Sequence, residues 1–419
     1  MLVTGPTLDQ RFAEAMGQLL GPDFPDHIAL AVSGGGDSMA MLALAQNWAH
    51  RWGVAFSVVT VDHGLRPESA DEARMVGAFC AQIERPHTVL EWRWDGTGNL
   101  QDAARRARLD LIDGWRGPIQ TVLMAHTSDD VAETFLLRLA RGSGVEGLSA
   151  MAPMRRAPQG FHILRPCLGM SRAELRHYAR VLQVPWADDP SNEDAKYDRS
   201  RARALLDRLD VLGLSRDDIL ATAGRMRRAA VALNARMMSV AEEVVTERAG
   251  ALLLDRTGFD RVERDTQLRL LAAACMWVSG AEYRPRASGL EGLLDRLTSG
   301  GAGTLIGAQI ESRANDYVVF REPAAVRDLR APVGQLWDRR WAVSAPDALA
   351  AAQGLEIRAL GDAISDCPDW RETGLPRAAI IASPAIWQGA ELVCAPLAMA
   401  KADWAARIVT PFATWALSH

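Results

Sequence analysis

The sequence predicts an α/β protein: a doubly wound, mainly parallel sheet, followed by a helical domain and a small mixed α+β domain. Three observations predict it. Short β-rich apolar runs alternate with helical stretches over the first two hundred residues, and a glycine-rich loop follows the first run directly. Beyond about residue 212 the chain changes to long, charged, helical segments.

The first strand is predicted over residues 27–32 and the second over 56–61, both apolar and partly β-branched, as strands buried on two faces are. Residues 88–92 and 121–125 read as a third and a fourth strand. Helices lie between them: one over residues 39–48, one opening at Ser69 with Glu72 three residues on, and one at Ser171 with Glu174. Both serine–glutamate pairs have capping-box spacing. In such a sheet, ligands bind at the carboxyl ends of the strands.

Composition sets the frame. A chain of 419 residues, 48% hydrophobic and 24% charged, is long enough for two or three domains around sizeable cores. Cys80, Cys167, Cys275, Cys367 and Cys394 lie far apart, which predicts neither a disulfide framework nor a zinc knuckle and suits a reducing cytoplasm. Asp9 and Glu14 near the start, with no long uncharged apolar run, argue against secretion and membrane spanning. The net charge of -5 opposes a uniformly basic nucleic-acid binder, yet arginines crowd at Arg155, Arg156, Arg165, Arg172, Arg176 and Arg180, and again at Arg199, Arg201, Arg203 and Arg208. Solvated helix faces are the plain alternative.

Ser33, Gly34, Gly35, Gly36, Asp37 and Ser38 follow the first strand and precede a helix. Glycines allow a tight turn and close backbone approach to a phosphate, and the helix N-terminus supplies N–H groups and partial positive charge. A Walker loop is excluded, because it requires a lysine and the first lysine is Lys196. A dinucleotide fingerprint is excluded too, since Met39 stands where its third glycine belongs. Asp37 would repel bare phosphate, so its presence suits a Mg²⁺ held against the phosphates.

Two further segments occupy strand ends. Asp62 and His63 close the second strand, where they could contact a nucleoside or simply organise the loop. After the fourth strand come His126, Thr127, Asp130 and Glu133, leading into a helix predicted to reach Arg141. Asp130 and Glu133 share one helix face and could bind a cationic amine, or merely complement the helix dipole. His126 could orient a phosphate or move a proton.

The loop S-G-G-G-D-S resembles the PP-loop of the N-type ATP pyrophosphatases, which cut ATP between its α and β phosphates. The stretch D-H-G-L-R from Asp62, the run A-H-T-S-D-D-V-A-E-T from Ala125 and R-G-S-G-V-E-G-L from Arg141 resemble, in order, the tRNA(Ile)-lysidine synthetases. Asn99 to Arg108, the Leu164-Arg165-Pro166-Cys167-Leu168 step and the segment from Asp188 to Arg199 agree with that family as well. The resemblance implies ligation of free L-lysine to C2 of the wobble cytidine of an isoleucine tRNA with a CAU anticodon, through an adenylated cytidine, so that the tRNA decodes AUA. It assigns catalysis to Asp37, His126 and Arg105, with Mg²⁺ on Asp37. ATP would be held by Ser33, Gly34, Gly35, Gly36, Asp37, Ser38, Asp62 and His63, and lysine by Asp130 and Glu133. Arg108, Arg141, Arg165, Arg199 and Arg203 would contact tRNA or phosphate.

Thr127, Leu109 and Ser200 depart from the family pattern, which has histidine, an aromatic residue and asparagine there. Altered tuning is the expectation, because Thr127 and Ser200 can still donate hydrogen bonds. Domains are expected at 1–212 (catalytic), 213–322 (helical, tRNA contact) and 323–419 (α+β, acceptor-stem contact). An oligomerisation module is the alternative for the last, and a homodimer stays open. A tRNA cytidine thiolase would carry paired cysteines, a glutamine-dependent synthetase would carry a second nucleophilic domain, and neither feature is visible. A noncatalytic tRNA-binding protein is the remaining class, opposed by the presence of Asp37, His126, Asp130 and Glu133 together.

Overall fold

The computed structural model describes residues 5–65, 68–188, 198–209, 211, 213–344, 354–399 and 404–417. Two compact units divide the chain, Met1–Ala230 and Val231–His419.

In the first unit the chain order is α1 (Leu8–Leu20), β1 (His27–Ala31), α2 (Gly36–Trp52), β2 (Ala55–Asp62), α3 (Ser69–Gln82), β3 (His87–Glu91), α4 (Leu100–Arg116) and β4 (Thr121–Met124). There follow α5 (Ser128–Leu139), α6 (Val145–Leu148), β5 (Met154–Arg156), β6 (His162–Leu164), α7 (Arg172–Val181) and α8 (Asp198–Leu209). The strands form one sheet in the order β3-β2-β1-β4-β6-β5. All neighbours are parallel except the β5–β6 pair.

The four expected strands and the doubly wound parallel sheet are present, each strand within a residue of its expected ends. Two short strands, β5 and β6, were not anticipated; three residues are too few to show a periodic pattern. Because β1 is central, both of its faces are buried. Ile28 and Leu30 pack with Met39, Leu42 and Leu175 of α2 and α7, whereas Ala29 points into a second cluster with Leu109 and Ile112 of α4. That alternation is why β1 reads as a continuous apolar run. The chain winds outward from β1 to β3, then returns across β1 to β4, so strand order reverses between β1 and β4. A crevice opens at such a reversal, outside the carboxyl ends of the two strands.

The capping boxes divide. Ser171 caps α7 as expected: its N–H and hydroxyl donate to Glu174 Oε2 at 2.7 and 2.8 Å, and Arg11 of α1 donates to Glu174 Oε1 at 2.6 Å. The Ser69 box does not form. Glu68 takes the cap position, and the Ser69 hydroxyl instead donates to Asp62 Oδ1 at 2.7 Å, a tertiary partner that local spacing could not reveal.

The second unit takes over within α9 (Arg216–Val244), one of the long helical segments expected beyond residue 212, and strand β7 (Val245–Arg248) follows it directly. With β8 (Ala251–Asp255), β9 (Ala302–Leu305), β10 (Ala308–Ser312) and β11 (Asp316–Arg321), β7 forms an antiparallel sheet in the order β7-β8-β11-β10-β9. Helices α10 (Arg256–Asp260), α11 (Arg264–Ser279) and α12 (Ala287–Thr298) accompany it, and Leu270, Leu293, Leu294 and Ile310 share its core. Beyond α13 (Pro323–Val326) the strands are β12 (Ala331–Pro332), β13 (Trp341–Ser344), β14 (Leu355–Ala359), β15 (Pro384–Gln388), β16 (Glu391–Cys394) and β17 (Ala405–Ile408). They form two small sheets with α14 (Arg377–Ile381) and α15 (Phe412–Leu417), the mixed character expected there.

Ser171→Ala removes the hydroxyl that caps α7. Loss of such a cap costs about 1 kcal/mol, so the urea midpoint of the first unit is expected to fall accordingly; an unchanged midpoint would show that α7 is held by its packing alone.

Candidate active site

Three helix N-termini meet the crevice. After β1 the chain turns through Gly34, whose φ of +87° suits glycine and where a Cβ would lie 3.2 Å from that of Glu72. A Cβ on Gly36 would lie 3.2 Å from Arg176 Cγ, so the loop has no room for side chains on that side. Ser38 locks the turn: its hydroxyl donates to Gly35 O at 2.9 Å, accepts from Ser33 N at 3.2 Å and lies 3.2 Å from Ser33 Oγ. Gly35 caps α2 without a side chain, leaving first-turn N–H groups free of side-chain caps. Gly34, Gly36 and Ser38 are buried, while Ser33 is exposed.

After β4, His126 occupies a half-buried turn, its N–H donating to Met124 O at 3.0 Å. Thr127, a departure from the family pattern, is fully buried and caps α5: its N–H and hydroxyl both donate to Asp130 Oδ2 at 2.8 Å. Leu109, another departure, is a core residue beside Ile112.

Asp37, Asp130 and Glu133 converge on one guanidinium, that of Arg172, a member of the basic clusters that stands at the start of α7. Its Nε donates to Asp37 Oδ2 at 3.0 Å, and its terminal nitrogens lie 3.8 Å from Asp130 Oδ1 and 3.6 Å from Glu133 Oε1. Arg203 Nε donates to the same Glu133 oxygen at 2.9 Å. The Arg172 backbone N–H donates to Asp129 Oδ2 at 2.8 Å, while Arg216 pairs with Asp129 Oδ1.

Three carboxylates thus share two guanidiniums. Glu133 is 1% exposed, and its Oε2, like Asp37 Oδ1, is buried without a hydrogen-bond partner among the described residues. Burial pushes the Asp37 carboxyl above its ordinary pKa, against the opposing pull of Arg172. Burial alone would lower the pKa of Arg172, but Asp37, Asp130 and Glu133 reverse the effect and hold it above its ordinary value. A cluster of this kind retains capacity for another cation.

At the end of β2, Asp62 accepts from Ser69 Oγ at 2.7 Å and from Gly64 N at 2.8 Å, and the Ser69 bond leads in holding its carboxyl below the ordinary range. His63 Nε2 lies 3.2 Å from an Arg108 terminal nitrogen, and burial first, then the Arg108 charge, pushes its pKa down to about 4. Its imidazole is therefore neutral near pH 7 and can accept from Arg108.

The other arginines separate by surroundings. Arg165, expected to meet tRNA or phosphate, is 7% exposed and donates to Ala152 O at 2.6 Å. Burial, with the charges of Arg155, Arg105 and Arg138, lowers its pKa to about 10. It braces the β6 turn instead. Arg203 is likewise engaged with Glu133, and Arg141 pairs with Asp198 at 3.2 Å near the surface. Arg105 and Arg108 are exposed on α4. The Arg199 side chain, and the segment 189–197 that carries much of the Asp188 to Arg199 resemblance, lie outside the described residues. Arg172 is a residue of the candidate site that the motifs do not single out; its place at the first position of the capped helix α7 was the available signal.

A family model described as a PP-loop domain matches residues 8–209. The chain is 43% identical over 388 residues to a tRNA(Ile)-lysidine synthase of Ruegeria pomeroyi, covering 92% of this chain and 91% of that one. It is 34% identical to a tRNA(Ile)-lysidine synthase of Wolbachia pipientis, covering 76% of this chain and 77% of that one. Among solved structures, the U34-tRNA thiolase NcsA from Methanococcus maripaludis matches 51% of this chain and 78% of its own, with a TM-score of 0.44 and 17% identity.

His63 gives the site a pH test. Above its ordinary value of 6.5 the imidazole is neutral in folded and unfolded chains alike; between 6.5 and about 4 only the unfolded chain takes the proton, so stability falls as pH falls through that window. His63→Gln is expected to flatten that part of the stability profile. Equal slopes in wild type and variant would show that His63 titrates normally.

Proposed function

Because the chain belongs to the tRNA(Ile)-lysidine synthase family, we propose that it uses ATP to join free L-lysine to C2 of the wobble cytidine in the CAU anticodon of tRNA(Ile). The observation that carries this reading is the crevice itself, where a phosphate-accepting loop and a buried, cation-accepting pair of carboxylates share one arginine.

In the first step the cytidine O2 attacks the α-phosphorus of ATP and pyrophosphate leaves. Gly35 and Gly36 direct first-turn N–H groups of α2 at the leaving oxygens, with Ser33 and Ser38 beside them, so developing charge meets donors already in place. Asp37, with one buried oxygen lacking a partner, fits a Mg²⁺ ion. When bound, that ion neutralises charge on the pyrophosphate. Among the described residues no group of three or more His, Cys, Asp or Glu could hold a metal, so Asp37 would be the ligand this chain supplies in this reading. Neutral His63, backed by Arg108, and Asp62 suit a nucleoside face; His126 and Arg105 suit the α-phosphate.

In the second step the lysine ε-amine, having lost one proton, attacks C2 of the adenylated cytidine and AMP leaves with the O2 oxygen. Asp130 Oδ1 and Glu133 hold the ammonium groups and orient the nucleophile. The regions 213–322 and 323–419 are assigned to the tRNA body and acceptor stem. A cytoplasmic location suits five cysteines that are all free and buried, and no described helix is long and apolar enough to cross a membrane.

Labelled lysine, ATP and Mg²⁺ are expected to label a tRNA(Ile) transcript with a CAU anticodon but not a methionine tRNA transcript, and Asp37→Ala abolishes the labelling. Folded protein that releases pyrophosphate with another tRNA or small substrate, yet never incorporates lysine, would sink the assignment. Glu133→Gln should raise the KM for lysine about tenfold or more, since hydrogen bonds to charged groups contribute about 1.5–3 kcal/mol. A change confined to the KM for ATP would move Glu133 out of the amine site.

A further inference from the structure

Arg172 is difficult to explain as a brace alone. Its Nε is anchored on Asp37 at 3.0 Å, a proper hydrogen bond, whereas its two terminal nitrogens stand 3.6 and 3.8 Å from Glu133 and Asp130, close enough for attraction and too far for hydrogen bonding. One side of the guanidinium is fixed while the other sits loosely on the carboxylate pair read above as the amine site.

The pair needs such a neighbour. Glu133 is almost completely buried, and two carboxylates that face one crevice repel each other unless a cation lies between them. Arg203 satisfies one Glu133 oxygen but leaves Oε2 without a partner. Asp130 is half-engaged, since Oδ2 serves the α5 cap and only Oδ1 faces Arg172.

We infer that Arg172 is a resident cation: its terminal nitrogens stand in for the substrate's ammonium group in the lysine-free enzyme, and incoming lysine displaces them while Nε stays on Asp37. The inference rests on the reading of Asp130 and Glu133 as the lysine site and adds a positioning residue to it. Two consequences follow. Every amine must outcompete an internal positive charge, so lysine affinity is set below what two bare carboxylates would give. Because the anchor is Asp37 of the phosphate loop, one side chain also links the two halves of the crevice.

Direct binding tests this on the full-length protein. Equilibrium dissociation constants would be measured for L-lysine and for cadaverine, the diamine without a carboxylate, in wild type, Arg172→Gln and Arg172→Lys, with circular dichroism confirming the fold. Arg172→Gln should bind both ligands at least about fivefold more tightly, within the range usual for coupled sites, while Arg172→Lys stays near wild type. Added methylguanidinium should weaken lysine binding in Arg172→Gln and not in wild type. Unchanged affinity in Arg172→Gln overturns the inference. So does weaker lysine binding with cadaverine unaffected, which would make Arg172 a holder of the lysine carboxylate. Should Arg172→Gln not fold, a lysine-bound crystal structure of wild type decides: the terminal nitrogens leave Asp130 and Glu133, or they remain and the inference fails. Wild type that binds no lysine would remove the reading of the site, and the inference with it.

Discussion

The interaction on which this site depends is the compensation of buried negative charge by arginine. Asp37, Asp130 and Glu133 come from two helices that follow the adjacent strands β1 and β4, so the switch point brings them to one crevice. Each carboxylate loses hydration there, and their mutual repulsion adds to the cost. Arg172 answers from a third helix. Its own position is electrostatically poor, because the first residue of α7 lies at the positive end of that helix's dipole. Burial adds to that cost, and Asp37, Asp130 and Glu133 outweigh the burial and hold its pKa above the ordinary value.

Much of the surrounding fold serves to hold α7 against that crevice. Leu175 and Ala179 bury the inner side of the helix in the core shared with α2. On the outer side Arg11 donates to Glu174, and Tyr178 donates to Asp9 at 2.8 Å while accepting from Asn47 at 3.0 Å. These braces tie α7 to α1 and α2 together, so the guanidinium is positioned by the same packing that positions the phosphate loop. Ala187 N donates to Gly34 O at 3.0 Å and closes the loop from the other side. A shift of α7 would disturb the glycine loop and the contacts of Arg172 with Asp130 and Glu133 together.

What could be read from the sequence follows the range of the forces involved. Central strands such as β1 and β2 were legible because burial on both faces leaves an unmistakable apolar run, and the glycine loop was legible because backbone geometry near a phosphate admits few residues. Asp37, Asp130 and Glu133 could be named from their places at strand ends. Their partner could not: Arg172 lies 135 positions from Asp37, and only the strand order brings α7 to the same crevice. Ser69 failed as a cap for the same reason, since Asp62 offers a tertiary acceptor that outweighs the local one. Thr127 looked like a lost histidine, yet its buried hydroxyl forms a capping box with Asp130 that the spacing already contained.

Arginine dominates the cations of this chain, so the residue type alone distinguishes nothing; the acceptors do. Arg340 is buried, donates to Val278 O at 2.6 Å and Gly250 O at 2.8 Å, and stacks 4.4 Å over Trp277. Arg165 and Arg138 are likewise held by backbone carbonyls. Carbonyl oxygens are neutral and belong to fixed turns, so these arginines can only tie one backbone segment to another, and no ligand would gain by replacing them. Carboxylates carry a full charge that any suitably placed cation can satisfy, which makes an arginine bound to them exchangeable in principle. Among these four arginines, Arg172 combines a firm carboxylate anchor with two long, loose carboxylate contacts. That asymmetry separates a group that holds the fold together from one that holds a place within it.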